Sequence, residues 1–148
     1  MSLFDKLTQD MKSAMKAGEK DRLATIRLLR GALKNKAIEK RQDLTGDEEV
    51  AILTSAAKQR KESIQAFTDA GRDDLVSKES SELEVIQDYL PQPLSQQELE
   101  TIVDAAIAKV GAASMKEMGA VMSAVIQEVK GRADGKEINS MVRAKLGV

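Results

Sequence analysis

Apolar residues recur every three or four positions along nearly the whole chain. No stretch shows the alternation or β-branched enrichment of a strand. The pattern predicts an all-α protein: an N-terminal four-helix domain over residues 1–90, followed by a C-terminal three-helix bundle over residues 91–148. The first helix spans Leu3 to Ala17, with Leu3, Leu7, Met11, Ala14 and Met15 inward and Gly18 as its stop. The second runs from Asp21 to Arg41, with Ile26, Leu29, Leu33 and Ala37 on one face. The third follows Thr45-Gly46-Asp47-Glu48 and ends near Ala70, where Gly71 suits a left-handed backbone. The fourth covers Asp73 to Leu90.

Both prolines of the chain lie in Leu90-Pro91-Gln92-Pro93, and the domain boundary is placed there. Beyond it, Ser95-Gln96-Gln97-Glu98 opens a fifth helix that reaches Val110. Leu94 and Leu99 occupy the two positions of a hydrophobic staple. Ser114-Met115-Lys116-Glu117 opens a sixth helix, rich in apolar residues on several sides and so suited to the centre of a small bundle. It ends at Lys130-Gly131. Asp134 caps a seventh helix that starts near Lys136 and runs to Leu146. The Thr45, Ser95 and Ser114 segments are capping boxes, in which a hydroxyl and a carboxylate satisfy free backbone N–H groups. Gly119 is expected to permit close helix packing.

Composition narrows the chemistry. The 148 residues contain neither cysteine nor histidine, which removes thiol nucleophiles, disulfides, Ser–His–Asp triads and the usual zinc and haem ligand sets. Absence of cysteine fits a reducing compartment, and the expected location is cytoplasmic. Asp5 and Lys6 interrupt any apolar leader near the N-terminus, so no signal peptide is expected. The longest uncharged run, Met118–Gln127, is too short to cross a bilayer, and no membrane partner is expected. Phe4, Phe67 and Tyr89 are the only aromatic residues, too few for a base-stacking platform.

A net charge of −1 hides an uneven distribution. Residues 1–42 carry a balance of +6, residues 43–90 one of −7, and Lys130–Lys145 one of +3. The plainer explanation for the first two blocks is mutual attraction between helices. The sharper one is a basic face that meets a polyanion. On the second helix Lys20, Arg27, Arg30, Lys34 and Arg41 share roughly a quarter of the circumference, at ~100° per residue.

Three constellations could carry function. Arg60 sits in the apolar seam of the third helix, and Glu79 and Glu82 sit in that of the fourth. Antiparallel packing would bring them together as a structural ion pair, with a tuned catalytic carboxylate pair as the less favoured alternative. Asp47, Glu48, Glu49, Asp73 and Asp74 could hold a divalent ion, but carboxylates at helix starts are explained by the helix dipole, and no metal or cofactor is expected. Lys130-Gly131-Arg132-Ala133-Asp134-Gly135-Lys136 combines cations, flexible backbone and a helix N-terminus, which suits a phosphate.

Two sets of residues carry a resemblance. Met118-Gly119-Ala120-Val121-Met122, Lys130-Gly131-Arg132-Ala133-Asp134-Gly135, Asn139, Val142 and Leu146 resemble the tail domain of the aspartyl/glutamyl-tRNA amidotransferase B subunit. Lys58-Gln59-Arg60-Lys61-Glu62-Ser63-Ile64, Phe67, Ala70-Gly71-Arg72-Asp73-Asp74-Leu75, Glu79, Glu82 and Tyr89-Leu90-Pro91 resemble the stand-alone YqeY family, which shares that tail. The resemblance implies the four-plus-three helical fold and a tail that contacts tRNA while chemistry occurs elsewhere. The implied partner is tRNA, or a tRNA-modifying or synthetase complex. Lys130, Gly131 and Arg132 match the tail's basic loop, and Lys136 and Arg143 extend it. Arg27, Arg30 and Lys34 would enlarge the surface. Where the tail has Asn-Pro, this chain has Asp134-Gly135, which adds a negative charge. Two alternatives stay open: an adaptor that docks on a partner enzyme, and a carbon–nitrogen ligase with glutamine as amide donor. No G-x-x-x-x-G-K-[ST] loop or G-x-G-x-x-G turn supplies the nucleotide site the latter would need, and no catalytic residue is assigned.

Overall fold

A computed structural model describes residues 1–147. Among them the chain forms α1 (Leu3–Ala17), α2 (Lys20–Lys40), α3 (Gly46–Asp69), α4 (Asp73–Gln87), α5 (Gln96–Val110), α6 (Met118–Val129) and α7 (Gly135–Lys145), with a 3-10 turn at Met115–Glu117. No strand is present among the described residues. The chain divides into two compact units, Met1–Leu90 and Pro91–Val148. The 3-10 turn is an element the expected four-plus-three count lacks.

Local chemistry explains most ends. Ser2, Thr45 and Ser95 each accept a bond from the backbone three residues on, while Asp5, Glu48 and Glu98 return it. The Ser114 box caps the 3-10 turn rather than α6 itself. At the other ends, Gly18, Gly71 and Gly111 take left-handed angles, so that free carbonyls of α1, α3 and α5 are bonded by the residues that follow. Arg41 does the same for α2 at φ 60°, without glycine's freedom. The fourth helix stops three residues short of the expected Leu90. Leu90 precedes a proline and is barred from α geometry, and Tyr89 and Leu90 close the end with tighter bonds to Ile86 and Gln87.

In the first unit the core is Leu7, Ala14, Ile26, Leu29, Leu33, Leu53, Ala57, Val85, Ile86 and Tyr89. Met15, expected inside, is 50% exposed. The second unit packs Leu99, Val103, Ala106, Val121, Val125, Val129, Ile138, Val142 and Leu146, with Leu94 against the cluster. Most of those residues are valine or isoleucine. Gly119 is exposed, and a Cβ added there would meet nothing within 4 Å. The expected close packing at Gly119 is therefore absent.

Candidate nucleic-acid interface

The basic corner of the second unit is built by the junction of α6 and α7. Lys130 and Gly131 both adopt left-handed angles, φ 48° and 79°, which turn the chain sharply after Val129. Asp134 then caps α7 by accepting from the Lys136 backbone at 3.1 Å. The extra carboxylate is thus engaged with the helix start. Lys130, Lys136 and Arg143 are exposed, and among the described residues none of the three forms an ion pair. Lys136 and Arg143 are seven residues apart and so share one stripe of α7.

Arg132 has a different position. It is half-buried, and its Nε donates to the Gln92 carbonyl at 2.8 Å. Its own carbonyl accepts from the Leu94 backbone at 2.9 Å. The residue fastens the proline segment to the α6–α7 loop. At the far end of α7, Lys145 pairs with Glu100 at 2.6 Å and Asp104 at 3.0 Å, and these bonds raise its pKa.

In the first unit α3 and α4 lie side by side and bring Arg60 to Glu82, Nε to Oε2 at 3.4 Å, with the side chains 18% and 16% exposed. The two meet as charges rather than through an aligned hydrogen bond, since the buried Nε has no hydrogen-bond partner. Glu79 lines the same open groove of about 500 Å³, beside Gln59, Glu62, Ser63 and Ala66. No cluster of three carboxylates that could hold a metal occurs among the described residues. Glu48 instead caps α3 and meets Lys40, which with the Thr45 backbone holds its pKa at about 2. Asp74 is held below its ordinary value by Arg72.

The stripe on α2 does not stay together. Arg30 is half-buried, donates from Nε to Thr8 at 3.0 Å, and stacks over Phe4 at 4.9 Å from the ring centre. Lys20, Arg27, Lys34 and Arg41 are exposed. The attraction expected between the first two charge blocks narrows, for α2, to Arg22 with Asp88 at 3.3 Å and Lys40 with Glu48.

Two polar contacts have no counterpart in the sequence pattern. Glu49 is 5% exposed, and its carboxylate accepts from the Leu3 and Phe4 backbones at 3.4 and 3.0 Å. It closes the N-terminus of α1 from a distance of 45 residues. The Tyr89 hydroxyl donates to Asp10, and burial followed by that bond pushes the phenol well above its usual range. A carboxylate in an apolar seam was the available signal for Glu49, but nothing in the sequence named its partner.

Against known proteins, residues 4–146 match the family described as "Yqey-like protein". Relatives named "Altered inheritance of mitochondria protein 41, mitochondrial" occur in several fungi. The one from Pyrenophora tritici-repentis is 28% identical over 98% of this chain and 81% of its own length. The Saccharomyces cerevisiae relative is 31% identical over 89% of this chain and 70% of itself. That from Eremothecium gossypii is 42% identical over 57% of this chain, and the match spans about half of it, 46%. Those names contradict the expected cytoplasmic location. The expectation rested on missing cysteine, which does not distinguish one reducing compartment from another.

Proposed function

The chain belongs to the Yqey-like family, and on that premise we propose that it binds tRNA, or a complex carrying tRNA, through the α6–α7 corner and performs no chemistry there. The observation that carries this reading is the set of exposed, ion-pair-free cations Lys130, Lys136 and Arg143 around a sharply turned loop. Such groups are available to phosphate oxygens, whereas Lys145 is already engaged by Glu100 and Asp104. Arg132 serves the corner by holding residues 92–94 in place. Scarcity of aromatic residues points to backbone contact without base readout.

The test is a salt titration of tRNA binding to the full chain and to Lys130→Glu/Lys136→Glu/Arg143→Glu. Each phosphate contact contributes about 0.7–0.9 to the slope of log affinity against log salt, so the triple variant is expected to lose roughly 2–3 units of slope. These residues are exposed, so the fold is expected to survive the substitutions. Equal affinity and slope in both proteins would reject the corner as the contact surface.

A further inference from the structure

A second surface lies on α2, on residues other than those of the α6–α7 corner. Ala24, Leu28, Gly31, Asn35 and Ile38 follow one another at alternating spacings of four and three, the seam of a two-stranded coiled coil. Four of these five are exposed and Gly31 is half-buried. Leu28 is 55% exposed and Ile38 63% exposed, among the few large apolar residues left in water. Lys20, Arg27 and Lys34 recur every seven residues along one flank, all exposed and, among the described residues, all outside ion pairs; Arg41, seven further on, lies past the last helical residue in a left-handed conformation. The opposite flank turns toward the core, with Thr25 buried and Ala32 half-buried, and only Glu39 exposed. Gly31 stands in mid-helix, where glycine is unfavourable relative to alanine, yet a Cβ there would meet nothing within 4 Å. The fold of this chain gives no reason for a glycine at that position.

We propose that this face of α2 seats an amphipathic helix of another protein, apolar along its seam and acidic along the flank that meets Lys20, Arg27 and Lys34. Leu28 and Ile38 supply the apolar knobs, Gly31 leaves room for a large side chain of the partner, and Asn35 sets the register. The three cations choose an acidic partner by charge complementarity. A second copy of α2 is a poor occupant. Antiparallel pairing sets the three cations against their equals, and parallel pairing offers them Thr25, Ala32 and a single carboxylate, Glu39. Nucleic acid would engage the cations and leave Leu28 and Ile38 unused. A lipid surface would favour apolar residues at the centre, where Gly31 and Asn35 stand.

The test uses the full chain and two labelled synthetic peptides of three heptads. Both carry leucine along the seam; one has glutamate on both flanks, the other lysine. Fluorescence anisotropy is expected to show binding of the glutamate peptide alone. Leu28→Ser/Ile38→Ser should weaken it at least tenfold with an unchanged circular-dichroism spectrum. Arg27→Glu/Lys34→Glu should reverse the preference to the lysine peptide, a switch that a merely structural role would not produce. Gly31→Ala should raise the melting temperature while weakening the peptide. Failure of the parent to bind the glutamate peptide, equal binding of both peptides, or full binding by Leu28→Ser/Ile38→Ser would overturn the proposal. So would a dependence on Leu28 and Ile38 that appears only with tRNA or with phosphatidylglycerol vesicles.

Discussion

Removing Arg60 should expose how the α3–α4 pair is held. At 3.4 Å from Glu82, and with an effective dielectric of about 20, the attraction amounts to ~5 kcal/mol before desolvation is counted. Most of that is offset by the cost of taking both groups out of water. The side chains keep 18% and 16% of their exposure, so the net cost of Arg60→Met should fall below the ~3–5 kcal/mol seen for fully buried pairs. About 2–3 kcal/mol is expected, most of it from leaving the Glu82 carboxylate without its cation. Glu82→Leu should cost less, since Arg60 keeps the Ala56 carbonyl at 3.5 Å and has Glu79 in the same groove. The double variant Arg60→Met/Glu82→Leu should lie within ~1 kcal/mol of the parent, because neither charge is stranded. Urea unfolding followed by tyrosine fluorescence reads this directly. The chain has no tryptophan and one tyrosine, and Tyr89 lies in the core of the same unit. Costs that simply add in the double variant, or an Arg60→Met cost under about 0.5 kcal/mol, would show that the pair holds nothing.

Glu49→Leu should cost about 1–2 kcal/mol in the same assay by leaving the first N–H groups of α1 without their acceptor, and Glu49→Gln distinctly less because an acceptor oxygen remains. Glu48 provides a pH test. Its folded pKa is about 2 against an ordinary 4.5. A depressed carboxylate stabilises the fold above its unfolded value and loses that contribution as pH falls from 4.5 toward 2. Lys40→Met should therefore flatten the acid limb of a melting-temperature profile over that window, and an unchanged limb would exclude the Lys40 contact as its main cause.

Helix ends were the most legible part of this chain, because caps are local. Thr45 with Glu48 and Ser95 with Glu98 sit three residues apart and are recognisable from that spacing. The Arg60–Glu82 contact was also within reach, since a tight turn at Gly71 leaves α3 and α4 little choice but to pair. Glu49 and Tyr89 were not. Their partners lie 45 and 79 residues away, and periodicity says which face is buried without saying what it meets. Met15 carries the right spacing for the core, yet its place on α1 borders the exposed side of α2, where Arg27 reaches its sulfur at 3.8 Å. On α2 itself the stripe of cations was visible in the sequence, but not that Arg30 would leave it for Phe4 and Thr8. The seven-residue spacing of Lys20, Arg27 and Lys34 gains meaning only once Leu28 and Ile38 are seen in solvent, and Arg41 leaves the stripe by ending the helix.

The valine-rich interior of the second unit has a consequence for how that unit forms. Val103, Val121, Val125, Val129, Ile138 and Val142 are stiff side chains that lose little freedom on packing, but they are mediocre helix formers. A peptide cut to α6 alone, twelve residues long, falls at the length where helices in water are barely populated even with good formers. Its helicity is therefore borrowed from α5 and α7, and the three should appear and vanish together.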